Sequence, residues 1–151
     1  DLSALVQETA FFAENSNATR QISVESTIAE GHCIMANRDQ IKQVLINIIL
    51  NGMESMREKL ADAPERQLKL TIMLTGENGV SRITIRDEGM GMTQQAIERC
   101  MDAFFTTKRA GTGLGLTLSK QYVQENNGQL TISSQPGEFT EICITFRRED
   151  Q

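Results

Sequence analysis

Asn47 and Asn51 stand one helical turn apart in the stretch Asp39–Met56, DQIKQVLINIILNGMESM. Wound as a helix, Gln43, Asn47, Asn51 and Glu54 form a polar stripe, while Ile41, Val44, Leu45, Ile48 and Met56 fall on or near an apolar face. A solvated helix face normally carries Lys and Glu, because asparagine competes with its own backbone for hydrogen bonds. Two amides one turn apart can instead aim their oxygens at one point, as ligands of a hard cation such as Mg²⁺ must. The plainer alternative is a core helix with two exposed amides.

Two glycine-bearing stretches add to this. DEGMGM at 87–92 places Asp87 at the end of an apolar run, and Gly89 and Gly91 let the backbone reverse and approach a ligand closely. A carboxylate held there can accept from an amino group such as the exocyclic amine of adenine, or it can simply cap its own turn. GTGLGL at 111–116 opens a helix, so several backbone N–H groups and the positive end of the helix dipole converge where a phosphate would sit. No Gly-Lys-Ser/Thr follows and no strand precedes it, which excludes a Walker A loop and a dinucleotide fingerprint. FFTTK at 104–108 lies just upstream; Lys108 could meet a phosphate, and Thr106 and Thr107 could hydrogen-bond or cap.

The elements that position these residues follow from periodicity. Residues 2–13 read as an amphipathic helix with Leu2, Leu5, Val6, Thr9 and Phe12 on one side. Gln21–Ser26 alternates as a strand, and Gly31 leads into an expected second strand, His32–Ala36, paired with the first. Asn37 is placed to cap the central helix, which must stop near Pro64. Leu68–Thr75 and Val80–Asp87 flank GENG as a hairpin. Thr93–Met101 reads as a short helix capped by Thr93, Phe104–Gly113 as a mobile loop, and Leu114–Asn126 as a helix with Gly128 as its C-terminal glycine. Strands at Leu130–Ser134 and Glu141–Arg147 complete the pattern. Strand pairs outnumber βαβ units, which predicts a two-layer α/β (α+β) sandwich: one mixed, largely antiparallel sheet with about three helices on one face.

At 151 residues the chain is expected to be one domain. A net charge of −5 with no cluster of Lys and Arg argues against nucleic acid as a partner. Three cysteines without CxxC spacing argue against disulfides and zinc and for a reducing compartment. No stretch is apolar for long enough to span a bilayer. The opening DLSALVQETAFF is already helical in pattern, so the chain is expected to be the C-terminal piece of something longer.

Together the motifs resemble those of sensor histidine kinases. NIILNGMESM is similar to their N box, DEGMGM to the G1 box, FFTTK to the F box and GTGLGL to the G2 box, and the NGMESM ending to the nitrogen-regulation type. The resemblance covers Leu2 to Arg147 and implies the ATP-binding catalytic domain of the GHKL, or Bergerat-fold, superfamily. It implies that Asn51 coordinates Mg²⁺ at the nucleotide phosphates with support from Asn47, and that Asp87 binds the adenine amine. Gly89, Gly91 and Met92 would shape and line the pocket, and Thr140 would join a water-mediated network to the base. Thr107, Lys108, Gly111, Thr112, Gly113, Leu114, Gly115 and Leu116 would hold the phosphates, with a lid between the G1 and G2 boxes. This chain departs from the common pattern at Gly52, where Ala is frequent, at Glu54, near which a Lys is frequent, and at Phe139, where Gly is frequent.

The implied activity is transfer of the ATP γ-phosphate to a histidine on a separate dimerisation domain, with Asn47, Asn51 and Lys108 as the catalytic set. The implied partners are that domain, a response regulator and a second copy of the full-length protein, in the cytoplasm. His32, the one histidine, lies in an apolar context without the helical setting of a phosphate acceptor. A nucleotide-sensing module without transferase activity and an anti-sigma-type serine kinase are the alternatives.

Overall fold

A computed structural model describes residues 1–16, 21–100 and 113–148, with the side chains of 113–115 outside that description. Four helices and five strands follow in the order α1 (Leu2–Ser16), β1 (Ile22–Ile28), α2 (Arg38–Asp62), β2 (Leu68–Glu77), β3 (Val80–Asp87), α3 (Gln94–Cys100), α4 (Gly113–Glu125), β4 (Gln129–Gln135) and β5 (Phe139–Arg147). The strands form one mixed sheet in the order β1-β2-β3-β5-β4. β1 runs parallel to β2, and every other pairing is antiparallel. The predicted two-layer sandwich is what forms, with α1, α2 and α4 against one face of the sheet.

Beyond the row of Gly76, Ser81 and Phe146, three successive rows of side chains cross the helix-facing side of the sheet. Leu74, Ile83, Ile144 and Leu130 make one row, and Ile72, Ile85, Ile142 and Ile132 the next. Both are largely buried under Ile41, Leu45, Ile49, Met53 and Met56 of α2. Each aliphatic side chain so buried stabilises the fold by about 1.5–3 kcal/mol before entropy is counted. In the third row the chemistry changes: Leu70 is followed by Asp87, Thr140 and Ser134. The apolar sheet therefore ends in a polar rim, still on the helix side.

α2 starts where expected. The Asn37 side chain accepts from the Gln40 N–H at 3.0 Å, satisfying one of the free donors of the first turn. It ends at Asp62, with the Ala63 N–H donating to the Lys59 carbonyl just before Pro64. Its N-terminus is tied to the far end of α4 by Asn126, whose side chain accepts from the Asn37 N–H and donates to Gln40 Oε1 and the Tyr122 carbonyl.

Two expectations fail. The segment 32–36 is not a strand, and no early hairpin exists. Gly31 turns the chain at φ +76°, and His32 drops into the protein core. Its carbonyl accepts the Leu2 and Ser3 N–H groups, and its Nδ1 lies 2.6 Å from Ser81 Oγ. Strand β1 instead meets β2 through the α2 crossover, the connection that parallel pairing requires. The second failure is at the end of α4. Asn127, at φ +63°, adopts the left-handed conformation there, while the Gly128 N–H bonds back to the Val123 carbonyl. Gly128 is needed for room: a β-carbon on it would collide with the Phe146 ring.

Among the described residues no helix is long and apolar enough to cross a membrane, and Cys33, Cys100 and Cys143 are free thiols.

Candidate functional site

A cleft of about 230 Å³ opens where α2 passes over the polar rim of β3 and β5. Asn51, Gly52, Ser55 and Glu58 of α2 line one wall, and Asp87 and Thr140 lie at its floor. Met90, Gly91 and Met92 close one end, and Cys100 and Leu116 bring α3 and α4 to the rim. Ile48, Met92, Leu116 and Ile142 make much of the surface apolar, as a flat ring system requires.

Asp87 is delivered as the sequence predicts, at the last position of β3, and is 8% exposed. Its Oδ1 accepts the Gly89 N–H at 3.0 Å, so the turn reading is also true: the carboxylate shapes the loop that follows it. Gly91 takes φ +70°, and a β-carbon there would sit on the Gln135 carbonyl oxygen. A β-carbon on Gly89 would strike Ser55 Oγ. Both glycines thus allow the 87–92 loop to lie between α2 and the β4–β5 turn. Phe139 does not intrude on the cleft. Its ring lies on the outer face of the sheet, 3.9 Å below the Arg86 guanidinium, and Thr140 keeps the inward position.

The structure brings together Asn51, Asp87, Gly91, Met92, Leu116 and Thr140 around one cleft. Gly89 stands behind it, against Ser55. Asn47, one turn before Asn51, is half-buried and is not among the described lining residues. Gly113, Leu114 and Gly115 form the first turn of α4. Thr107, Lys108, Gly111 and Thr112, like the expected lid, lie outside the described residues.

Sequence reasoning missed four contributors. Ser55 accepts the Met90 N–H at 2.8 Å, pinning the glycine loop to α2. Its spacing could have revealed it, since 47, 51 and 55 run in fours down one helix face. Glu58 extends that wall. Lys59 Nζ donates to the carbonyls of Glu88, at 3.0 Å, and Gly137, at 2.9 Å, fastening α2 to two loops at once. Ser134 binds the Met92 N–H and Thr140, and no local pattern marks it.

The sequence model of a protein family described as "Histidine kinase-, DNA gyrase B-, and HSP90-like ATPase" matches residues 36–150, which hold α2, the whole glycine loop and β5. The chain belongs to this ATPase family. Within it, the sequence is 34% identical over 134 residues to Sporulation kinase E of Bacillus subtilis (strain 168), covering 89% of this chain and 17% of that protein. It is 31% identical over 132 residues to the sensor protein DegM of Bacillus sp. (strain B21-2), covering 87% of this chain and 33% of that one. The chain therefore spans a third or less of the length of these relatives. The fold of this ATPase domain matches the nucleotide-free catalytic domain of histidine kinase ThkA at a TM-score of 0.79, with 23% identity over 97% of this chain and 92% of the other. It also matches full-length ShkA in complex with AMPPNP at 0.81, with 18% identity over 100% of this chain and 31% of that one.

Proposed function

We propose that this domain binds ATP with Mg²⁺ in the α2–β3 cleft and donates the γ-phosphate to a histidine on a separate dimerisation domain of the same full-length protein. It is then the catalytic part of a two-component sensor protein-histidine kinase. The observation that carries this reading is the pairing of Asp87 with Thr140 in register beneath an apolar cleft, with Asn51 on the wall above them.

The base enters the apolar part of the cleft, where Asp87 accepts from the adenine amine and Thr140 joins the same network. Met92 and Gly91 line the pocket, and Gly89 holds its loop against α2. Asn51 offers a neutral amide oxygen, which suits a hard cation whose other ligands are phosphates and water, and Asn47 supports it one turn earlier. The described lining has two carboxylates, Glu58 and Asp87, and no basic side chain, so a polyphosphate there needs a cation. Bound Mg²⁺ would supply that charge neutralisation. Lys108, Thr107, Gly111, Thr112 and the start of α4 from Gly113 to Leu116 complete the phosphate contacts. Phosphoryl transfer depends on position and charge more than on covalent help from the protein, so the remaining requirement is an aligned acceptor. His32 is not that acceptor: it is 4% exposed and bonded to Ser81, at the opposite end of β3 from Asp87.

The kinase names of the relatives and the AMPPNP complex of ShkA support this reading. So does the net charge of −5, which suits protein partners, among them a response regulator and a second copy of the full-length chain, better than nucleic acid. A cytoplasmic place for the domain follows from its need for ATP. The test is transfer from γ-labelled ATP. The domain alone should remain unlabelled, and a helical dimerisation domain carrying the acceptor histidine, added as a separate chain, should gain acid-labile, base-stable label. Acid-stable label would point to a serine kinase, and ATP binding without any transfer to a nucleotide sensor.

A further inference from the structure

Ser134 has one hydroxyl proton and three neighbours. The Phe139 carbonyl oxygen, 2.6 Å away, can only accept, so the serine proton goes there. The serine oxygen accepts the Met92 N–H at 2.8 Å. Thr140 Oγ1 lies 2.9 Å from the same oxygen, and with the serine proton already placed the threonine must be the donor. The proton of Thr140 is thereby turned towards β4, and only lone pairs remain to face the cleft that Thr140 lines. Asp87 stands directly opposite Thr140 in the β3–β5 register, and its carboxylate is also an acceptor.

From this geometry we infer that Ser134 is a specificity-determining positioning residue. By holding the Thr140 proton it makes the cleft floor a wall of acceptors, which selects a purine with an amino group at its six-position and rejects one with an oxo group. The inference rests on the reading that the cleft takes the nucleotide base, and deepens it. A free threonine hydroxyl can rotate to meet either a donor or an acceptor, and so discriminates poorly. A hydroxyl whose proton is committed elsewhere cannot. An oxo group placed against Thr140 and Asp87 would meet an acceptor at each of them and would lose the water it left. A hydroxyl that only braced the β4–β5 turn would weaken all ligands alike, and that difference can be measured.

The experiment is calorimetric titration of ATP and inosine triphosphate, which differ at the six-position and in the proton that hypoxanthine carries on N1, into the unaltered protein, Ser134→Ala, Thr140→Val and the double variant. The unaltered protein should prefer ATP. Ser134→Ala should lower the ATP to inosine triphosphate affinity ratio by about three- to tenfold, the worth of one hydrogen bond gained by the wrong base. Thr140→Val should also lower it, and adding Ser134→Ala to Thr140→Val should change it no further. Ser134→Thr, which keeps the hydroxyl, should preserve the ratio. Equal weakening of both nucleotides by Ser134→Ala, or the same shift in the Thr140→Val background, overturns the inference and leaves the ATP reading standing. Should Ser134→Ala not fold, an unchanged ratio in Thr140→Val overturns it alone. Failure of the unaltered protein to bind either nucleotide overturns the proposed function, and the inference with it.

Discussion

Gly52 faces Asp87 so closely that a β-carbon on the glycine would lie 3.1 Å from the Asp87 β-carbon and 3.2 Å from its Oδ2. A glycine inside a helix costs about 1 kcal/mol relative to alanine, and here it lets α2 come down onto the end of β3. Gly52→Ala should therefore fold, with stability within about 1 kcal/mol of the original, because helix propensity offsets the crowding. ATP affinity should fall as the carboxylate shifts by a few tenths of an ångström. Gly52→Val, whose branches enter the space of Asp87, should abolish binding. Thermal unfolding and ATP titration of both variants check this, and tighter binding by either would refute it.

Asp87→Asn should weaken ATP binding by about 1–3 kcal/mol, the usual cost of mismatching a buried hydrogen-bond partner. The protein should prefer ATP to GTP and bind more tightly with Mg²⁺ than with a chelator. Asn51→Ala should flatten the magnesium dependence while leaving the base preference intact. Titrations of ATP, ADP and GTP with and without Mg²⁺ separate the two roles. Equal ATP and GTP affinities would return Asp87 to a turn residue only.

Gly91→Ala should be among the most costly single changes near the cleft. The position requires φ +70°, and the added carbon meets the Gln135 backbone rather than a flexible side chain. Left-handed strain alone costs about 1–2 kcal/mol, so a total loss of about 2 kcal/mol or more is expected. Urea unfolding gives the value, and a loss under about 0.5 kcal/mol, as at an ordinary surface site, would contradict the geometry.

His32 sets a pH dependence far from the cleft. Burial pushes its pKa below the usual 6.5, and the nearby Arg148 guanidinium pushes it further the same way. Ser81, its hydrogen-bond partner, does not titrate in this range. The folded protein thus holds this imidazole neutral while the unfolded chain protonates it below about pH 6.5. Stability from this group is complete above pH 6.5 and declines as pH falls towards the lowered folded value. Urea midpoints from pH 8 to pH 5 should show the decline, and His32→Gln should flatten that part of the curve.

Much of the architecture was legible because it is written at short range. The caps Asn37 and Thr93, the stop before Pro64 and the period-two runs of β2 and β3 depend on neighbours a few residues away. The motifs around Asn51, Asp87 and Leu116 were legible for the same reason. The mistaken strand at 32–36 shows the limit. Alternation allows a strand, but a ladder needs a partner, and β1 found its partner in β2 beyond a 25-residue helix.

By itself, the sequence determined the α2 helix with its polar stripe, the hairpin that ends in Asp87, and the glycines that bend the chain after it. Only the tertiary structure decided that Ser55 holds the glycine loop, that Lys59 ties two loops to one helix, and that Ser134 stands beside Thr140 in the row begun by Asp87. Ser134 and Asp87 lie on strands separated by β5, and what joins them is register. Register is set by how the apolar rows close over the core, and a slip of one residue would turn both side chains to the other face.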